Sequence, residues 1–257
     1  VEYQPRIEAS LSAAVIIPAR FGSTRFAAKI LAADTGRPLV QHVVDQASKC
    51  RLVREVIVAT DDQRIVDALA PFGTRCVLTS PNHQSGTDRV AEVARQLAVD
   101  IVVNVQGDEP EIEPEIIDAL IERMDKGNEP MATAATAYPV SADPNDPNLV
   151  KVVISEHGRA LYFSRAAIPF QRDASTVNGA RARELFLHLG IYAYRQSFLA
   201  EFVSWPQTRA ERSEKLEQLR VLEHDRAIYV LKVERASHGI DTAEQYTQFV
   251  KRFAGGK

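Results

Sequence analysis

Residues 102–110 read VVNVQGDEP. With Asp100 and Ile101 ahead of it, the segment puts apolar side chains at odd and even positions alike, then breaks at Gly107 onto two adjacent acids, Asp108 and Glu109. A strand that is apolar on both faces is the pattern of a parallel sheet covered by helices on both sides. In open sheets of that kind ligands bind beyond the carboxyl ends of the strands. Asp108 therefore stands where a ligand is expected.

The flanking sequence repeats the pattern. AAVIIPA (13–19) is an apolar, β-branched run ending just past Pro18, and PLVQHVVDQASKC (38–50) spaces Leu39, Val40, Val43, Val44 and Ala47 at helical intervals. EVIVAT (55–60), DDQRIVDALAPFG (61–73), RCVLTS (75–80) and TDRVAEVARQLA (87–98) continue as strand, helix, strand and helix. The order is βαβαβα, and the fold class is α/β with a mostly parallel central sheet flanked by helices.

The second half is less regular. KVVISEHGRALYFS (151–164) predicts a hairpin about Gly158, FLHLGIYAY (186–194) a strand, and AIYVLKV (227–233) a last strand. AERSEKLEQLRVLEH (210–224) reads as one amphipathic helix with Leu216, Leu219 and Leu222 on one side, and DTAEQYTQFVKRF (241–253) as a closing helix with an Asp-Thr cap. No clean linker interrupts the chain, so residues 1–12 are expected to form a short extension and 13–257 a single domain.

Composition narrows the function classes. A net charge of -3 opposes binding to nucleic acid, which needs a concentrated excess of Lys and Arg. Two cysteines, Cys50 and Cys76, make neither a disulfide framework nor a paired-thiolate zinc site, so a reducing, cytoplasmic setting is expected. No segment has the length and apolarity of a membrane insertion, and the polar opening is unlike a secretory signal.

The polar residues worth following lie in loops after strands. PARFGSTRFAAKIL (18–31) carries Arg20, Ser23, Arg25 and Lys29 without the glycine and lysine spacing of a Walker loop, yet three cations on one loop can clamp a triphosphate. In SPNHQSGTDRV (80–90), Ser85 and its neighbours suit either a ligand loop at a helix start or simple capping, with Arg89 one turn in. Asp108 and the distant Asp241 could share a magnesium ion, although the residues alone favour Asp241 as a helix N-cap. His188 and Tyr192, four apart on a strand, share a face, while Glu217 and Gln218 read as surface residues of their helix.

Taken together, VIIPAR.GSTR, IVATDD, HQSGTDR, VVNVQGDEP, ALYFSRA.IP, HLGIYAYR, LEQLRVL and GIDT resemble, in order and spacing, the 3-deoxy-manno-octulosonate cytidylyltransferases, or CMP-KDO synthetases. The resemblance spans about residues 13–253. It implies a Rossmann-like nucleotide-diphospho-sugar transferase fold with a smaller β-rich dimerisation region, and a homodimer. It implies transfer of a cytidylyl group from CTP to the 2-hydroxyl of KDO, with Mg2+, for lipopolysaccharide biosynthesis.

Residue by residue, it implies that Arg20, Ser23, Arg25, Lys29, Ser85 and Gln106 bind the nucleotide, with Arg20 and Lys29 serving catalysis. Asp108 and Asp241 would hold metal. Arg89, Gln106, His188, Tyr192, Glu217 and Gln218 would hold the sugar, Arg89 at its carboxylate. Relatives acting on 8-amino-KDO or sialic acid, or a silent nucleotide-binding homologue, are the alternatives. One departure stands out: the family usually has Pro-Gly before the loop lysine, and this chain has Ala27 and Ala28, with Ile30 where proline is common. If the family glycine has a positive φ, Ala28 carries strain.

Overall fold

The computed structural model describes residues 11–22, 26, 28–170, 172, 176–177, 180–181, 185–234 and 239–255. Residues 1–10 of the expected extension, together with Ser23, Arg25 and Ala27, lie outside the described residues.

The first half alternates as the sequence predicts: β1 (Ala13–Ala19), α1 (Leu39–Ala47), β2 (Val53–Thr60), α2 (Gln63–Leu69), β3 (Cys76–Leu78), α3 (Gly86–Ala94) and β4 (Ile101–Asn104). Strands β1, β2, β3 and β4 pair in parallel, so their carboxyl ends share one edge. The chain continues through α4 (Pro114–Lys126), β5 (Met131–Ala137), the hairpin β6 (Lys151–Ile154) and β7 (Ala160–Ser164), and a two-residue pair, β8 (Thr176–Val177) and β9 (Ala180–Arg181). It closes with β10 (Phe186–Arg195), α5 (Gln196–Phe202), α6 (Arg209–Glu214), α7 (Leu219–Glu223), β11 (Ile228–Val233) and α8 (Ala243–Gly255).

The main path of the sheet runs β11-β5-β10-β4-β1-β2-β3, with β6 on β10 and β7 on β6. Alternation along β1 sends Ala13, Val15 and Ile17 into one core with α1 and α4, and Ala14 and Ile16 into another with α3 and α5. Both faces are covered, which is why the strands read as continuous apolar runs. Helix α8 packs Tyr246 and Phe249 on Leu39 at the start of α1, bringing the C-terminal segment back beside the exit of β1.

Helix α5 and the short pair β8 and β9 escaped the sequence reading, and so did α4 and β5. In α4, Ile116, Ile117, Leu120, Ile121 and Met124 form a buried stripe behind Pro114 in the first turn, a periodicity plain once the helix is sought. MATAATA in β5 has too many alanines to signal a strand. It is extended because β10 and β11 pair with it from either side.

The expected helix over 210–224 is corrected to two short ones. Lys215, at φ 55, ends α6, and the break turns Arg220 back onto Glu211, Nε to Oε2 at 2.8 Å and Nη2 to Oε1 at 2.6 Å. Leu216 and Leu219 remain buried, but Gln218 is only 3% exposed, so the surface reading of that residue is also corrected.

Ala28 adopts the left-handed conformation, φ 54 and ψ 23, immediately before the 3₁₀ turn Lys29–Leu31. For alanine that region is sterically costly, and glycine occupies it freely. Ala28→Gly is expected to raise stability by about 1 kcal/mol in chemical denaturation. A loss of stability would contradict the strain.

Candidate active site

The site begins where β1 and β4 leave the sheet side by side. Gly107 lets the two exits touch, since a Cβ there would lie 3.1 Å from the Pro18 carbonyl oxygen and 3.2 Å from Ile30 Cδ1. Asp108 follows, and its carbonyl accepts from the Ile240 amide at 2.8 Å, fixing the segment before α8 to the segment after β4. Lys29 enters from the β1 side. Its ammonium donates to Asp108 Oδ2, to the Ile240 carbonyl at 2.8 Å and to Asp241 Oδ1 at 3.4 Å.

Lys29, 79 positions from Asp108 and 212 from Asp241 along the chain, thus meets both at this edge. The capping role open to Asp241 falls instead to Thr242, whose Oγ1 accepts from the Gln245 amide at 3.3 Å while Gln245 Oε1 accepts from the Thr242 amide at 3.0 Å. Two carboxylates are a donor set that fits Mg2+, which keeps water and substrate oxygens for the rest of its octahedron. Among the described residues no group of three or more His, Cys, Asp or Glu forms a metal cage.

The adjoining wall comes from β10, which runs antiparallel to β4 with Tyr192 opposite Asn104. Residues before Tyr192 therefore reach past the end of β4 into the crevice. Four extended residues span about 13 Å, but the ladder with β5 is interrupted between Leu189 and Tyr192, and the rings of His188 and Tyr192 come to 5.4 Å. This irregularity builds the face that strand periodicity alone only suggested.

Thr133 Oγ1 donates to the Ile191 carbonyl at 2.7 Å and lies 3.0 Å from His188 Nε2. With the threonine hydrogen so engaged, Nε2 carries the imidazole hydrogen and Nδ1 is left as an acceptor. Burial lowers the His188 pKa from 6.5 to about 3, so the ring is neutral. Burial also raises the Tyr192 phenol, keeping it a donor. Gln106 extends Nε2 to the Gly190 carbonyl at 3.4 Å, which joins β4 to the irregular stretch of β10.

Glu217 is partly buried rather than a free surface acid: Thr87 Oγ1 donates to it at 2.8 Å and Ser85 Oγ at 3.3 Å, and Arg220 Nη2 is 3.5 Å away. Burial pushes its carboxyl up. Beside it, Gln218 Nε2 is buried with no hydrogen-bond partner among the described residues, a cost that a ligand or water oxygen would remove. Ser85 is the N-cap of α3, its Oγ accepting from the Asp88 amide at 3.1 Å and its amide donating to Asp88 at 3.0 Å. The capping reading of Ser85 is thus realised, with the same hydroxyl also touching Glu217.

Arg20 is exposed at the exit of β1. Arg89, expected at a sugar carboxylate, is instead buried and already neutralised, Nη2 lying 2.9 Å from Asp61 Oδ2 with Nη1 donating to Thr79. Ser23 and Arg25 lie outside the described residues. Glu109 has no role in the sequence assignment, yet its Oε1 lies 3.6 Å from where a Gly190 Cβ would be. Burial, reinforced by Asp108, pushes that carboxyl up to about 8. Its only sequence signal was adjacency to Asp108. A cleft of about 450 Å³ also opens behind Ser85 and Glu217, lined by Asp88, Trp205 and Lys215, but Lys29, Asp108 and Asp241 are not part of it.

Known proteins resemble this chain in sequence and fold. The profile of the Cytidylyltransferase family matches residues 14–228. The 3-deoxy-manno-octulosonate cytidylyltransferase of Trichlorobacter lovleyi is 46% identical over 248 residues, covering 94% of this chain and 98% of the relative. That of Vibrio vulnificus strain YJ016 is 45% identical over 252 residues, covering 96% and 100%. A solved CMP:2-keto-3-deoxy-manno-octonic acid synthetase complexed with CTP superposes with a TM-score of 0.89 at 36% identity, over 96% of this chain and 100% of that one. A 4-diphosphocytidyl-2C-methyl-D-erythritol synthase from Anaerococcus prevotii, 14% identical with a TM-score of 0.62 over 96% and 97%, shares the fold. On this evidence the chain belongs to the cytidylyltransferase family, among its 3-deoxy-manno-octulosonate cytidylyltransferases.

Proposed function

We propose that this chain transfers a cytidylyl group from CTP to the anomeric 2-hydroxyl of KDO, releasing pyrophosphate. The observation that carries the reading is the convergence of Lys29, Asp108 and Asp241 at the shared exit of β1 and β4, in a chain 46% identical to enzymes named for this reaction. A bond forms from the sugar oxygen to the α-phosphorus, the bond from that phosphorus to the bridging oxygen of pyrophosphate breaks, and the hydroxyl proton leaves to solvent.

Asp108 and Asp241 are the residues to hold Mg2+, which when bound neutralises phosphate charge and lowers the pKa of a coordinated hydroxyl. Lys29 and Arg20 supply positive charge towards the triphosphate and the departing pyrophosphate. Gln106, His188, Tyr192, Glu217 and Gln218 suit a polyol: neutral His188 offers an acceptor, Tyr192 a donor and Gln218 an unsatisfied amide hydrogen. Arg89, held by Asp61, would meet the sugar carboxylate only as part of that ion pair.

No helix among the described residues is long and apolar enough to cross a membrane, and we place the reaction in the cytoplasm, supplying lipopolysaccharide biosynthesis. Among the described residues strand β7 pairs with β6 alone, and Leu161 and Tyr162 on it are 60% and 39% exposed, with Phe170 nearby in sequence at 89%. An exposed apolar edge of this kind supports a homodimer through the β-rich region.

Pyrophosphate release is expected to require CTP, KDO and Mg2+ together, and Asp108→Asn is expected to lower kcat by roughly 10²–10³-fold. Folded protein that binds CTP but releases no pyrophosphate with KDO would contradict the assignment.

His188 adds a pH signature. The unfolded chain takes up a proton near pH 6.5, whereas the folded chain holds the ring neutral down to about 3. Its contribution to stability is therefore full above pH 6.5 and declines as pH falls below it. In denaturation at a series of pH values, His188→Gln is expected to flatten that decline by about one proton's worth of slope. An unchanged slope would show that His188 is not held neutral.

A further inference from the structure

We propose that the Lys29 ammonium is the resident counter-ion of the Asp108–Asp241 pair, which a divalent cation must displace, so that cation binding delivers Lys29 to the nucleotide. The inference rests on the proposed function and concerns how its two charged ligands come to depend on one another.

Three acceptors surround Lys29 Nζ: Asp108 Oδ2, Asp241 Oδ1 at 3.4 Å and the Ile240 carbonyl at 2.8 Å. An ammonium has three hydrogens, so the set uses all of its donors. The side chain of Lys29 is only 11% exposed, whereas that of Asp108 is 26% and that of Asp241 is 44%. The carboxylates are thus more exposed to a hydrated cation than the ammonium that joins them.

The two cations compete for the pair. Mg2+ binds carboxylate oxygens at about 2.0–2.1 Å, close enough to oppose an ammonium that is hydrogen-bonded to the same groups. Once displaced, Lys29 has a buried stem and a backbone fixed in a 3₁₀ turn behind left-handed Ala28, which limits the places its charge can go. A triphosphate bound beyond the β1 exit would supply replacement oxygens. Coupling of this sort is reciprocal: cation must strengthen nucleotide binding by the factor with which nucleotide strengthens cation binding.

The test is calorimetric titration of Mn2+ into nucleotide-free protein, comparing wild type with Lys29→Met and with Lys29→Gln, each first shown to be folded by circular dichroism. Removing the competing ammonium is expected to tighten Mn2+ binding roughly ten- to a hundredfold, at a site lost when Asp108→Asn is added. If the Asp108-dependent site binds Mn2+ equally or more weakly in both Lys29 variants, the counter-ion role is overturned and the metal assignment stands. If Mn2+ binding ignores Asp108→Asn, the metal assignment itself fails, and this inference with it. Wild type supplies a reading that needs no Lys29 variant in its comparison: a hydrogen-bonded Lys29 ammonium signal in 15N-resolved NMR should be lost on saturation with Mg2+, and its persistence would overturn displacement.

Discussion

One ammonium between two carboxylates organises this molecule. Lys29 comes from the first loop, Asp108 from the end of the fourth strand and Asp241 from the segment before the last helix. The backbone reinforces the meeting, because the Ile240 amide donates to the Asp108 carbonyl while the Ile240 carbonyl accepts from Lys29. Partly buried charges in such a position must be neutralised. The chain does so with its own lysine, at the edge of a parallel sheet where anionic substrates are received.

The rest of the fold holds this edge open. Cores on both faces make the strands rigid, and α8 anchors the Asp241 segment by seating Tyr246 and Phe249 against Leu39. The antiparallel β10 then brings a second set of polar groups to the same edge, and its irregularity compresses His188 and Tyr192 into ring contact. The groups we propose for phosphate chemistry and those we propose for polyol recognition thereby come from different structural sources: loops after parallel strands for the first, a distorted antiparallel strand and the α6–α7 break for the second.

Much of this was legible in the sequence, for identifiable reasons. Parallel strands buried on both faces leave unbroken apolar runs, so β1 to β4 and the placement of Asp108 could be read directly. Motif order then identified Lys29 and Asp241, which no local pattern would have joined. What stayed hidden depended on tertiary pairing. Strand β5 is alanine-rich and exists through its neighbours. The α6–α7 break follows from the buried Arg220–Glu211 pair, nine residues apart. Arg89 looked available because Asp61, which neutralises it, lies 28 residues earlier on another strand end. The strain at Ala28 was visible only as a missing glycine, and its φ of 54 gives that absence a physical meaning.

The most direct test of the account is anomalous diffraction from crystals grown with CTP and Mn2+. The account predicts a manganese peak bound by both Asp108 and Asp241, with Lys29 Nζ turned from them to a phosphate oxygen. Manganese held by the triphosphate alone, with Lys29 still bonded to Asp108, would contradict it.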